Sequence, residues 1–305
     1  MATGITRFMT RVQTNSHSDR RQYGQVTQKV RGSILEKIRI YGDESRFNNA
    51  ITYGLLLLPS TLEEILVSGM SKLKVQFGLN ATDAIHCREI FNQEARKKTP
   101  FKKFSDGDLF KFLVEISAAF YSAGGRSWVG ILDSRATPDV LMFSDGQTSK
   151  VSIKEWNITD VKLRMLFAYH AALAPVTKMI NHENFEVFVD GDHSKVTTLG
   201  GNRKIDTLRS VFPINHGNKK IFPTPVKKDK PQLLEMADVL AYVAAHAISS
   251  VRVSNSENYQ RVFDNFQAGH SEVVFDGPGA AGGAYMSIRS STFHEMVIGE
   301  YLRSF

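Results

Sequence analysis

One run constrains this chain more than any other. From Gln232 to about Ser249 the sequence is apolar at helical spacing, with an acid in its middle. Leu233, Ala237, Leu240, Ala241 and Ala244 form a stripe that must be buried against another layer. Asp238 lies beside that stripe, next to Leu234, Ala241 and Tyr242 on the helical surface. A carboxylate there loses water, and an unpaired buried charge costs several kcal/mol or titrates away. A mid-helix position rules out a capping role, which leaves a basic partner or a metal ion. Glu235 is one turn earlier on the same side. Two acids on one apolar helix face point to a bound cation ahead of a salt bridge, with a distant Lys or Arg as the alternative.

The order of the other elements says what that helix packs on. Ile34 to Pro59 reads as a hairpin, with a first strand ending near Tyr41 and a second from Ala50 to Leu58. Helices follow at 62–73, capped by Ser60 or Thr61, and from Ser105 to about Ala123; the segment 84–91 is ambiguous between strand and helix start. A strand from Ser127 ends in Asp133, a long helix covers 159–180, and Phe185-Glu186-Val187-Phe188-Val189 is a strand ending in Asp190. A hairpin first and alternating elements later predict an α/β fold, a mixed sheet with helices packed on it. After Ser250 the sequence reads as a C-terminal extension, with a Gly-rich loop (276–283) and a helix at about 291–302. That loop is not a phosphate-binding P-loop, because no Lys-Ser or Lys-Thr follows it. The expected organisation is a basic, disordered arm (1–33), a catalytic domain (34–250) and the extension (251–305).

Charge suggests the kind of partner. The chain of 305 residues carries a net charge of +7. This favours an anionic partner, nucleic acid before a membrane surface, although a merely basic protein is as common a cause. Arg96, Lys97, Lys98, Lys102 and Lys103 form one cluster; Lys219, Lys220, Lys227, Lys228 and Lys230 form another, just ahead of the Asp238 helix. Such loops can hold phosphates or simply be solvated. No apolar run reaches the roughly 18 residues needed to span a bilayer. The single cysteine, Cys87, excludes an intrachain disulfide and a multi-thiolate zinc site, and fits a reducing, cytoplasmic setting. The first 33 residues, with six Lys or Arg against one Asp, rank as a basic tail before a transit peptide.

Four pieces together carry a family resemblance: Tyr-Gly-Asp-Glu-Ser at 41–45, Ile-His-Cys-Arg-Glu at 85–89, Val-Asp at 189–190, and Gln-Leu-Leu-Glu-Met-Ala-Asp-Val-Leu-Ala-Tyr at 232–242. Over residues 34–250 the chain resembles the domain of unknown function 3800 family, which is considered similar to ribonuclease H-like proteins. Two departures stand out. Arg46 follows Asp-Glu-Ser where the family usually has Gly, and Gln232 is displaced from its usual place just before Ala-Asp. The resemblance implies a ribonuclease H-like mixed sheet and a divalent-metal-dependent nuclease acting on DNA or RNA. Asp43, Glu89, Asp190 and Asp238 would be both metal ligands and catalytic residues, with Mg²⁺ or Mn²⁺ as cofactor and two ions in the site. Asp43 would bridge, Asp190 and Asp238 would each hold one ion, and Glu89 would ligate or orient a water. Asp133 competes with Asp190 for its place. His86 is a proton shuttle or a structural histidine. Glu44 and Glu235 are supporting or merely solvated acids, and Asp192 with His193 is a reserve pair.

Taken alone, Asp-Glu-Ser after a strand is more often a turn and cap cluster. A non-catalytic nucleic-acid-binding module on the same fold is therefore the alternative function. A metal-free carboxylate-pair glycosidase is a third, disfavoured by only two tryptophans, Trp128 and Trp156.

Overall fold

The computed structural model describes residues 36–144, 153–157, 159–179, 185–190, 196–199, 203–205, 214–216, 219–221, 223–226, 230–251, 255–276 and 285–304. All belong to the compact unit that begins at Leu35. The basic arm, Asp192 with His193, Lys227, Lys228 and most of the Gly-rich loop lie outside the described residues.

Strands β1 (Ile38–Phe47) and β2 (Ala50–Pro59) form the hairpin, in a register that pairs Ile38 with Pro59 and Phe47 with Ala50. The first strand does not stop at Tyr41. It continues through Gly42, Asp43, Glu44 and Ser45, each of which pairs with a residue of β2. The turn falls at Asn48-Asn49, with Asn48 at φ 51°, a left-handed conformation that Asn tolerates. Asp43 therefore sits inside a strand, and the turn-and-cap reading of Asp-Glu-Ser does not apply.

A 3-10 turn (Ser60–Leu62) leads to α1 (Glu63–Gln76), whose N-terminus has no side-chain cap. The ambiguous segment resolves into a short helix, α2 (Cys87–Ile90), entered through an extended His86. Then come α3 (Gln93–Arg96) and α4 (Asp106–Ser122). Ser105 and Asp108 cap α4 reciprocally. β3 (Arg126–Asp133) returns to the sheet, and β4 (Val140–Ser144) pairs only with β5 (Ile153–Asn157). After α5 (Val161–Met179) and β6 (Phe185–Asp190) come two further ribbons. β7 (Val196–Leu199) pairs with β8 (Arg203–Ile205), and β9 (Ile214–His216) with β10 (Lys219–Ile221). β11 (Thr224–Val226) precedes α6 (Gln232–Ile248), the helix that carries Asp238.

The seven-stranded sheet has the order β11-β6-β1-β2-β3-β12-β13, where β12 is Gly269–Asp276 and β13 is Tyr285–Ser290. β6 is parallel to β1, β11 to β6, and β12 to β3; the other pairings are antiparallel. The mixed α/β class is as the sequence predicts. The region after Ser250 holds more than a loop and a helix. It contributes α7 (Ser256–Phe266), β12 and β13 before α8 (Thr292–Arg303), and β12 joins the main sheet beside β3.

Helices cover both faces. On one, Ile38, Ile40, Tyr53, Leu55 and Trp128 pack with α5 and α8. On the other, Tyr41, Leu56, Leu58 and Val129 pack with α1, α4, α6 and α7. β2 is buried along its whole length, so it reads as a continuous apolar run. Trp128 is a core residue: its indole N–H donates to Ser271 Oγ at 2.8 Å, and Ser271 donates to Ala171 O at 2.5 Å. It offers no platform for a sugar. Among the described residues no helix is long and apolar enough to cross a membrane.

Candidate functional site

The site is built where β1, β6 and α6 meet. Residues alternate between faces along a strand, so Tyr41 and Asp43 share the face that packs on α6. Tyr41 pairs with Phe188 in the parallel register and their rings stack at 5.4 Å. Two residues further on, Asp43 is level with Asp190, the last residue of β6, on the same face. Helix α6 then brings Asp238 over the two strands. Ligand sites in open α/β sheets commonly lie beyond the carboxyl ends of parallel strands, and β6 ends here.

Three local features set the height of α6. At Gly54, opposite Asp43 in the hairpin, an added Cβ would stand 2.9 Å from Ala241 N and 3.2 Å from Ala237 O. The missing side chain lets the helix backbone lie directly on β2. Two residues away on the same face, Thr52 Oγ1 donates to Ala241 O at 2.8 Å. Phe47, at the end of β1, stacks on His246 at 3.8 Å. Gly54→Ala should push α6 off the strand. We expect a loss of about 1–3 kcal/mol, the usual cost of overpacking. Urea unfolding measures it, and an unchanged midpoint would mean that the helix height is not set at Gly54.

Asp43 is only 7% exposed and Asp238 only 8%. Burial first, and then the negative charges of Glu44, Asp238 and Asp190, hold the Asp43 carboxyl well above its usual range; the Glu44 N–H, donating to Oδ1 at 2.8 Å, opposes this. Asp238 Oδ2 accepts the Cys87 N–H at 2.8 Å and lies 3.2 Å from His86 Nδ1. That contact, ahead of the burial that opposes it, raises the half-exposed His86 above its ordinary value. Cys87 is fully buried, and burial pushes its thiol up, so it makes a poor nucleophile. Asp190 is held by Lys230, whose ammonium is 2.5 Å from Oδ1 and 2.7 Å from Oδ2.

Asp43, Asp190 and Asp238 thus come together from three elements. Asp133 ends β3 opposite Ala50, across β2 from β1 and β6, so it does not stand beside Asp43 as Asp190 does; the Arg135 side chain holds it at 3.0 Å and the Arg135 backbone N–H at 2.9 Å. Glu89 is exposed on α2, and its charge acts on His86 rather than ranking among the leading charges on Asp43. Glu235 is corrected outright. It is no partner of Asp238 in holding a cation, because Lys74 of α1, 0% exposed, lies 2.7 Å from its Oε2, and the Ile85 N–H donates to the same oxygen at 3.1 Å. The salt bridge that stood as the alternative for this helix face exists; its lysine is simply remote in sequence. The first basic cluster also needs correction. Arg96 is buried on Asp106 at 2.7 Å and Lys97 pairs with Glu94 at 2.7 Å, which leaves Lys98, Lys102 and Lys103 as the exposed members without such a contact described.

The donors suit a hard divalent cation in kind, being carboxylate oxygens. Their arrangement stops short of a finished site. Among the described residues no group of three or more His, Cys, Asp or Glu side chains is gathered so that it could hold a metal ion. Asp190 faces Lys230, and Asp238 faces the Cys87 N–H and His86.

No family model matches the chain, and neither a curated protein nor a solved structure does.

Proposed function

We propose that this chain is a divalent-metal-dependent nuclease, or a closely related phosphodiester hydrolase, on a ribonuclease H-like sheet. One observation carries the reading. Asp43 is buried on the central part of a mixed sheet, and the leading charges acting on it are all negative, from Glu44, Asp238 and Asp190. A fold that gathers acids from β1, β6 and α6 at a cost in self-repulsion calls for a cation from outside. The layout also supports the fold assignment: an acid inside the first strand, an acid ending its parallel neighbour, and an acid on the helix across both.

A divalent ion at this place would supply Lewis acidity and lower the pKa of a bound water. Asp43 and Asp238 would hold it from the strand and the helix. The Cys87 N–H fixes the Asp238 carboxylate so that its other oxygen is available. His86, anchored through Nδ1, keeps its second ring nitrogen for moving a proton to or from the phosphodiester. The exposed Lys98, Lys102 and Lys103 follow α3, beside the α2 segment that abuts α6, and would contact flanking phosphates.

The test is a calorimetric titration of Mn²⁺ into the folded protein. Asp238→Asn should weaken binding tenfold or more, about 1.4 kcal/mol. A folded wild type that takes up no Mn²⁺ would move the weight to the second reading, a nucleic-acid-binding module that keeps the fold without chemistry. One observation favours that second reading, the lack of a ready-made group of three donors among the described residues. It predicts binding that weakens steeply with salt and ignores metal.

A further inference from the structure

The ion pair between Lys230 and Asp190 is the part of the site that the four-acid scheme does not foresee. Asp190 is the acid assigned to a second metal ion in that scheme, yet its carboxylate is taken by an ammonium that touches both oxygens, at 2.5 and 2.7 Å. The placement is built into the fold. Asp190 ends β6, β11 lies beside it in parallel register with Val226 opposite Asp190, and Lys230 stands just before α6. Pro231 follows Lys230 at the helix N-cap, where its ring restricts the backbone. The lysine is therefore anchored on the same helix that carries Asp238. Its charge is also felt, as the smallest of the influences on that ring, at His86, which contacts Asp238. The Asp190 side chain is 16% exposed and that of Lys230 43%, so the pair opens to solvent, from where an anionic substrate arrives.

We infer that Lys230 is the second cation of this site: its ammonium on Asp190 takes the position that a second divalent ion would fill, and the site holds one divalent ion, between Asp43 and Asp238. This rests on the metal-dependent reading above. An ammonium is a compact point charge with three donors, so after neutralising Asp190 it still has a proton for a non-bridging phosphate oxygen. It provides charge and a hydrogen bond, but it cannot lower the pKa of a bound water as a metal ion does. A single divalent ion held by Asp43 and Asp238 would supply that chemistry. The pair fits the finding that no three-donor group is gathered among the described residues, since Asp190 turns to the chain's own cation.

The experiment counts Mn²⁺ ions by calorimetry on the full chain, for wild type, Lys230→Met and Lys230→Arg. The inference expects one Mn²⁺ per wild-type chain, a second in Lys230→Met, and one again in Lys230→Arg, which restores the charge. A melting curve serves as the second readout. Without metal, Lys230→Met should melt below wild type because Asp190 is left unpaired, and Mn²⁺ should raise its midpoint more than that of wild type. Two ions in wild type overturn the inference and leave the metal reading standing. So does a Lys230→Met chain that takes one ion with unchanged affinity. Uptake by none of the three folded proteins overturns both.

Discussion

Asp43→Asn should leave the protein folded, sharply reduce the proposed metal-dependent cleavage, and raise the melting temperature of the metal-free chain at neutral pH. In the folded state Asp43 has a pKa raised by burial and by neighbouring acids. The native state therefore holds its proton to higher pH than the unfolded state does. Stability is fully present below the unfolded carboxylate pKa and is lost as pH rises through the raised folded value. Asparagine removes that penalty and still offers an oxygen to the Glu44 N–H. The variant should melt above wild type at pH 7.5 by at least about 2 °C, the shift that ~1 kcal/mol gives in a chain of this size. The gap should close towards pH 4. Cleavage of a labelled oligonucleotide with Mn²⁺ should fall by at least about 100-fold, the scale on which loss of one charge-stabilising group acts. A variant that melts below wild type at pH 7.5 would mean that Asp43 is a structural acid with a compensating partner.

Lys74→Met should destabilise the chain more than Gly54→Ala, by about 3–5 kcal/mol, because it strands the Glu235 charge under α1. Lys74 is 0% exposed and Glu235 mostly buried, at 2.7 Å from each other. Burial already lifts Glu235 above the usual carboxylate range, with Lys74 the main force opposing it. Adding Glu235→Gln to Lys74→Met removes the charge and keeps an oxygen for the Ile85 N–H. The double variant should recover most of the loss. If it is as unstable as Lys74→Met alone, the damage comes from the packing of the lysine stem and not from an uncompensated acid. Guanidinium unfolding of the three chains separates the two causes.

Where the sequence is periodic, it is legible. The α6 stripe, the α4 capping box at Ser105 and Asp108, and the apolar run of β2 all carry their structure in local spacing. The acids at 43, 190 and 238 were readable as site candidates because each interrupts or ends such a pattern. Pairing across long distances was not readable. Lys74 is far from Glu235 in sequence, so the acid on α6 looked uncompensated, and Lys230 looked like one more residue of a basic loop. The end of β1 was misplaced because Gly42-Asp43-Glu44-Ser45 has turn composition; only its pairing with β2 makes it a strand. β12 was missed because Ser271, a polar residue, occupies an inward position, which it can do by linking Trp128 to Ala171. α7 was within reach of the sequence: Tyr259, Val262 and Phe266 mark its buried side.

The wide spacing of the three acids along the chain has a consequence for how the protein comes into being. β1 cannot pair with β6 until Phe185 to Asp190 has been made, and α6 emerges later still. Closing such long loops is slow compared with forming the hairpin. During synthesis from the N-terminus, Asp43 is therefore made long before Asp190 and Asp238, the acids that crowd it in the folded chain. The crowding of Asp43 by Asp190 and Asp238 cannot arise before α6 has been made, with α7, β12, β13 and α8 still to follow. If the chain is the phosphodiester hydrolase proposed above, its group of acids is incomplete in every nascent chain that still lacks α6.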